Sequence, residues 1–287
     1  MGTLTGQVIA ITGAGRGIGL CIARTLVARG ARVALADVDA AALASAGAEV
    51  GAALTAVLDV TDPDAFDAFL AQVEAEVGPL DGLVNNAGIM PTGSLLEESD
   101  ATTRRVLEVN VIGMMFGTKK ALARMVPRGR GHVVNLASTM GLVPVPGLAT
   151  YNASKAAMVM YGEALAAEFE GSGVAITTVL PSAVNTDLCS GLDTTAQFPV
   201  PFTDRTVKIA SMIEPEDVAT AVAEALESAR SEPRLVVPRS LGRMLRMQDF
   251  WPLRVKRRFA KFSGIDDQIL TRTDDTARKE YLERVTE

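Results

Sequence analysis

Tyr151 and Lys155 stand four positions apart, and Ser138 precedes Tyr151 by 13. A spacing of four brings two side chains onto one face of a helix, so a phenol and an ammonium are neighbours there. A phenol with an ordinary pKa of ~10 is a poor acid or base at neutral pH, and a nearby cation favours its phenolate. The pair can therefore pass a proton to or from an oxygen. Many such pairs on helix surfaces do no chemistry. Ser138 sets this one apart, because it falls at the end of an apolar strand, where open α/β sheets present their ligands.

A second group of residues suits a phosphate. Thr12-Gly13-Ala14-Gly15-Arg16-Gly17-Ile18-Gly19 joins an apolar run to an amphipathic one. Its glycines permit a tight turn and a close backbone approach to a pyrophosphate, and a following helix offers unpaired N–H groups. A glycine turn without a ligand has the same spelling, so the next acidic residue matters. Asp37 ends the second strand 18 residues beyond Gly19, where a carboxylate can accept hydrogen bonds from an adenosine ribose. That charge repels a 2′-phosphate and favours NAD over NADP. Arg16 argues the other way, but residue 38 is Val38 and supplies no second cation. Asp59-Val60 closes the third strand, where a carboxylate can meet an adenine amino group or cap the helix that starts near Asp62.

The elements that must position these residues follow from apolar runs alternating with amphipathic ones, the pattern of a parallel sheet covered on both faces. Strands are expected at Gln7–Thr12, Arg32–Ala36, Ala53–Leu58, Gly82–Asn85, Gly131–Ala137, Ala175–Leu180 and Leu235–Val237. Helices are expected at Ile18–Arg29, Pro63–Val77, Thr102–Met125, Tyr151–Glu170 and Asp217–Ser228. The fold class is α/β, a doubly wound, Rossmann-type parallel sheet of about seven strands. Residues 1–239 form the catalytic and nucleotide-binding domain, and residues 240–287 form a basic, partly helical extension. The stretch Ser182–Ile213 is a connection long enough to be a binding loop.

Composition narrows the function. The 287 residues are 48% hydrophobic and 22% charged, with a net charge of −6 and a mean hydropathy of +0.23. That apolar content is sufficient for a folded core, and no run reaches the ~18 residues that a membrane span needs. One histidine, His132, excludes a multi-histidine metal site, and no metal is expected; a structural role suits that histidine. Two cysteines give no disulfide framework. Cys21 reads as a small core residue and Cys189 as an exposed loop thiol. The chain is read as cytoplasmic. Charge is uneven: residues 239–287 hold 12 Lys and Arg against 8 Asp and Glu, leaving the remainder at −10. Nucleic acid does not suit an acidic body.

Taken together, these motifs resemble the short-chain dehydrogenase/reductase family in its roughly 250-residue form. The resemblance runs from Thr5 to Val237 through the glycine motif, Asn85-Asn86-Ala87-Gly88, Asn110, Ser138, Tyr151 and Lys155. It implies that Tyr151 is the general acid/base, that Ser138 binds the substrate oxygen, that Lys155 binds the nicotinamide ribose, and that Asn110 holds a water of a proton relay. Gly13, Gly15, Arg16, Gly17, Ile18, Gly19, Asp37, Asp59, Val60, Asn86, Ala87 and Gly88 are the implied cofactor residues. Pro181, Val184 and Thr186 follow the sixth strand beside the nicotinamide, with Ser182 where the family usually has Gly. The family also implies a homo-oligomer, dimer or tetramer, with Ala153, Ala156 and Ala157 permitting close approach of helices.

The segments expected to meet substrate are apolar: Ile89-Met90-Pro91, Thr139–Pro144, and Leu188–Met212 with Phe198 and Phe202. The expected function is NAD(H)-dependent interconversion of a small hydrophobic secondary alcohol and its ketone. The alternatives are a 3-oxoacyl-thioester reductase using NADPH and a non-catalytic cofactor-binding scaffold. In the tail, cations from Arg239 to Lys261 alternate with Met244, Leu245, Phe250, Trp251 and Phe259. Packing on the acidic body or on a neighbouring subunit is the expectation, with weak peripheral contact to an anionic membrane as the alternative.

Overall fold

The computed structural model describes residues 4–189 and 212–248, the strands at 196–199 and 206–210, and residues 252, 254, 278, 281 and 282. Near-continuous apolar runs become strands buried on both faces. β1 (Val8–Thr12) is buried at all five positions. It is followed by β2 (Arg32–Asp37), β3 (Leu54–Val57), β4 (Leu80–Asn85), β5 (Gly131–Leu136) and β6 (Val174–Pro181). β7 (Ala196–Pro199) and β8 (Thr206–Ala210) pair with each other, and β9 (Glu232–Val237) completes the main sheet. That sheet has seven parallel strands in the order β3-β2-β1-β4-β5-β6-β9. Chain order reverses between β1 and β4, which opens a crevice at the strands' carboxyl ends.

Alternate residues of each strand enter two cores. On one face, Ile9, Ile11, Leu35 and Val134 pack with Ile22 and Leu26 of α1 (Gly17–Ala28), Leu43 and Val50 of α2 (Ala40–Val50), and Val218, Val222 and Leu226 of a later helix, Pro215–Ser228. On the other, Val8, Ala10, Val133 and Ile176 pack with Phe66, Leu70 and Val73 of α3 (Pro63–Glu76). Each such aliphatic or aromatic side chain contributes about 1.5–3 kcal/mol by leaving water. Asp62 caps α3 through the Asp64 and Ala65 N–H groups, with Pro63 at the first turn.

The single helix expected over Thr102–Met125 is three segments: α4 (Asp100–Leu107), a π-helical turn at Glu108–Gly113, and α5 (Met114–Met125). The wide turn coincides with a tight approach to β3's end, where a Cβ on Gly113 would fall 2.7 Å from Val60 Cγ2. α2 is an addition to the expected elements, because its alanine-rich run carries weak periodicity. Its punctuation is nevertheless written in the sequence: Asp39 accepts from the Ala41 and Ala42 N–H groups, and Gly51 ends it in a left-handed conformation. α6 (Ala149–Glu168) and α7 (Pro215–Ser228) follow. α8 (Arg239–Gln248) opens the tail and buries Leu245 among Met158, Leu180 and Val236, with Arg243 exposed. Phe250, Trp251 and Phe259 lie outside the described residues. Among the described residues, no helix is long and apolar enough to cross a membrane.

Candidate active site

The turn after β1 is locked to the turn after β4. The Asn86 amide donates to the Thr12 and Gly13 carbonyls at 3.0 and 2.8 Å, and Thr12 Oγ1 accepts from the backbone N–H groups of Asn86 and Ala87. Gly13 has a φ of +63°, and a Cβ there would lie 2.8 Å from Ala87 Cα. Only glycine meets both demands. Gly19 abuts the Gly13 carbonyl and the Asn86 amide. Gly17 opens α1 with open space before it; a Cβ there would meet nothing nearer than the Thr186 methyl, at 3.7 Å. Asp39, Asp62 and Ser99 cap α2, α3 and α4 with their side chains. Among the described residues none caps α1, so its first N–H groups remain for an anion.

Asp37 ends β2 beside this turn. Its Oδ2 accepts the Gly15 N–H at 2.8 Å, and its Oδ1 accepts the Asp39 N–H at 3.0 Å. Arg16 forms an ion pair with Asp39, so its guanidinium already has an anionic partner. Asp59 is not the cap of α3, a task that falls to Asp62. It binds the Thr61 N–H and hydroxyl through Oδ1, and Arg105 lies 3.3 Å from Oδ2. Partial burial raises the Asp59 carboxyl, but these Thr61 bonds and Arg105 outweigh it and hold the group below its ordinary value.

Ser138 leaves the end of β5. Its Oγ accepts the Met140 N–H at 3.1 Å, starting a 3₁₀ turn, and donates to the Pro181 carbonyl at 3.5 Å. Tyr151 projects from the first turn of α6 into an apolar cluster with Met90, Val145, Leu148 and Cys189. α6 comes close to Ser138's turn: a Cβ on Gly141 would fall 2.8 Å from the Lys155 carbonyl carbon. Lys155 Nζ donates to the Leu136 carbonyl at 2.9 Å and lies 5.5 Å from the Tyr151 ring centre. Burial lowers Lys155 to about 7. Burial raises Tyr151 above its ordinary value, with Cys189 and Tyr281 adding to the rise, while the Ser138 hydroxyl and the Arg278 cation oppose it. Tyr151 is thus a neutral phenol at neutral pH.

Asn110 is buried in the π-helical turn. Its amide nitrogen donates to the Ile89 carbonyl at 2.9 Å and to Ser154 Oγ at 3.1 Å, and its oxygen accepts the Ile89 N–H at 2.8 Å. Both amide hydrogens are therefore engaged by protein. Its oxygen shares Gly88 as a neighbour with Lys155 Nζ: a Cβ on Gly88 would lie 3.2 and 3.7 Å from the two.

Of the site residues expected from the sequence, all but Gly15, Gly19 and Asn110 line one cleft of about 650 Å³ at the carboxyl ends of the strands. Those three stand behind it as supports. The substrate end is apolar, with Ile89, Met90, Met140, Leu148 and Leu188; the side chains of Phe198 and Phe202 lie outside the described residues. Two expectations need correction or addition. Cys189 is buried in the cleft wall instead of exposed, because it packs in the apolar cluster of Met90, Val145, Leu148 and Tyr151. Tyr281, 130 positions after Tyr151, also lines the cleft, and Arg278 packs on its ring at 4.2 Å. The only sequence signal is their spacing of three, which puts them on one helical face.

His132 lies away from the site, its Nε2 2.9 Å from Thr177 Oγ1. Burial lowers it to about 4, which keeps it neutral. Among the described residues no cluster of metal-ligating side chains occurs.

Residues 7–197 match the family model described as short chain dehydrogenase. The chain is 47% identical over 189 residues to a galactitol 2-dehydrogenase (L-tagatose-forming) of Cereibacter sphaeroides, covering 64% of this chain and 74% of the relative. It is 36% identical over 219 residues to a meso-2,3-butanediol dehydrogenase of Serratia marcescens, covering 76% and 86% respectively. A crystal structure of a short chain dehydrogenase/reductase from Burkholderia phymatum in complex with NAD superposes with a TM-score of 0.74 at 29% identity, over 87% of this chain and 95% of that one. With its seven-stranded parallel sheet, its glycine turn at the switch point and this match over two thirds of its length, the chain belongs to the short-chain dehydrogenase family, oxidoreductases acting on CH–OH groups.

Proposed function

We propose that the protein interconverts a small hydrophobic secondary alcohol and its ketone with NAD(H), using Asn110, Ser138, Tyr151 and Lys155. The observation that carries the reading is the convergence of Ser138 from β5 with Tyr151 and Lys155 from α6 on one cleft, whose other end holds the glycine turn and Asp37. The uncapped N-terminus of α1 suits a pyrophosphate, and the Asp37 carboxylate suits the two hydroxyls of an adenosine ribose. When bound, NAD supplies the hydride acceptor, and NADH the donor. Asp37 beside the turn, with Arg16 engaged by Asp39, favours NAD over NADP. Asp59, Val60, Asn86, Ala87, Gly88, Pro181, Val184 and Thr186 complete the cofactor's surroundings.

In ketone reduction Tyr151, a neutral phenol, gives its proton to the carbonyl oxygen, and in alcohol oxidation its phenolate form takes the hydroxyl proton. Ser138 donates a hydrogen bond to that same oxygen as negative charge develops on it. Lys155 stands beside the ring, 5.5 Å from its centre, where an ammonium favours the phenolate, and its Nζ is the group to hold the nicotinamide ribose. Asn110 holds the Ile89 backbone and thereby the edge of the substrate pocket. The apolar wall of Met90, Met140, Leu148 and Leu188 excludes water and favours a hydrophobic substituent on the carbinol carbon.

Residues 1–239 act in this proposal as the catalytic domain and residues 240–287 as its extension, of which Leu245, Arg278 and Tyr281 are buried. The enzyme is further proposed to be a cytoplasmic homo-oligomer, dimer or tetramer. Exposed Ile112 and Met160, with exposed Ala153 and Ala156 beside them on α6, support a helix-to-helix contact. The test is NADH formation at 340 nm from a series of 2-alkanols and polyols, with NADP in parallel. Turnover of the alkanols with a preference for NAD supports the reading; activity confined to NADP and acyl thioesters overturns it.

A further inference from the structure

Two side chains from the last ten residues stand at the substrate end. Arg278 is 2% exposed. Its guanidinium donates to Thr92 Oγ1 at 3.0 Å, to the Leu188 carbonyl at 2.6 Å and to the Met90 carbonyl. Met90 and Thr92 follow β4, and Leu188 follows β6, so a single side chain ties together both segments that border the substrate. The same guanidinium lies 4.2 Å over the Tyr281 ring, whose hydroxyl accepts the Met90 N–H at 2.7 Å. Among the described residues no carboxylate pairs with Arg278. Three neutral acceptors and an aromatic face carry its charge, an arrangement that holds only if all of them are in place together. Tyr281 lines the cleft with Tyr151, and Arg278 stands behind it.

We propose that Tyr281 determines substrate size, its ring forming a wall of the substrate pocket, and that Arg278 is the positioning residue that holds this wall against the segments after β4 and β6. The proposal rests on the dehydrogenase reading above, and it commits to a compact substituent on the carbinol carbon. Cys189 follows Leu188, lines the same cleft and is buried, so its thiol reports whether the wall is shut without any turnover.

The full-length protein and its Tyr281→Ala and Arg278→Met variants are treated with N-ethylmaleimide, and modification of Cys189 and Cys21 is followed by peptide mass spectrometry. The expected result is an increase of about tenfold in the Cys189 rate in both variants, as local opening exposes the thiol, with Cys21 in the α1 core remaining slow. Arg278→Lys, which keeps a donor, restores part of the protection. In parallel, the ratio of kcat/KM for 2-octanol over 2-butanol rises about tenfold in Tyr281→Ala, the scale at which a pocket discriminates added methylenes. An unchanged ratio overturns the proposal whatever the thiol does. If the wild type oxidises no alcohol, the dehydrogenase reading falls and the thiol alone decides the wall: selective acceleration at Cys189 supports it, and an unchanged rate overturns it. If Cys21 reacts as well, the fold has loosened, and Tyr281→Leu, which keeps an apolar side chain, is judged by the same two criteria.

Discussion

Asp37 accepts the backbone N–H of Gly15 at 2.8 Å, so the carboxylate that ends β2 is fixed to the turn that ends β1. Its charge therefore sits at one place beside the glycine turn. Removing it relieves repulsion of a 2′-phosphate and takes away the charged acceptors of a ribose, each such hydrogen bond being worth about 1.5–3 kcal/mol. Asp37→Ser is expected to lower the ratio of kcat/KM for NAD over NADP by about ten- to a hundredfold. Steady-state kinetics with both cofactors check this, and an unaltered ratio removes Asp37 from cofactor choice.

Tyr151→Phe deletes only the hydroxyl that moves the proton. Turnover is expected to fall by about 10²–10⁴, the usual scale of general acid–base catalysis. NADH affinity, followed by fluorescence titration, is expected to change little, because the ring's packing with Leu148 and Met90 is retained. Full activity in this variant would make the assigned proton donor wrong.

Lys155 is held at a cost. Its folded pKa is about 7, against ~10.5 for an exposed lysine. The unfolded chain binds this proton below pH ~10.5 and the folded chain resists it until about 7, so the destabilisation builds up as pH falls through that window. Lys155→Met is expected to abolish turnover and yet to raise stability at pH 7 by on the order of 2 kcal/mol. The gain should shrink toward pH 10. Thermal unfolding at both pH values measures it, and a loss of stability at pH 7 contradicts the account.

His132 works in the acid range. Its folded pKa is lowered to about 4 by burial, whereas an unfolded histidine titrates near ~6.5. Its contribution to stability is complete above pH ~6.5 and is lost as pH falls toward 4, by up to about 3 kcal/mol. His132→Gln removes the titration. Urea unfolding at pH 7.5 and 4.5 should show the wild type losing about 2 kcal/mol more than the variant; equal losses would mean that the ring is hydrated in the folded state.

Much of the fold is legible because its strands are short apolar runs with little else to be. β1 and β6 carry their burial on both faces openly, and Asp62-Pro63 announces the start of α3. α2 is hidden, since an alanine-rich run has the right propensity but too few large apolar residues to show a period. The break between α4 and α5 is hidden too. A π-helical turn has no propensity of its own, and this one coincides with Asn110's bonds to Ile89 and with Gly113's contact with Val60.

The sequence by itself determined the family, the crevice at the strands' carboxyl ends and the identity of the groups able to move a proton, because these depend on residue type and on short spacings along single elements. Tertiary structure alone decided what surrounds them. The Asp39 partner of Arg16, the Leu136 carbonyl on Lys155, the burial of Cys189 beside Met90 and the arrival of Arg278 and Tyr281 beside Met90 are contacts between segments 19 to 191 positions apart. No local pattern encodes them. They arise when the packed sheet and helices bring distant segments together, and the buried polar groups among them, Lys155 and Arg278, must then find acceptors there.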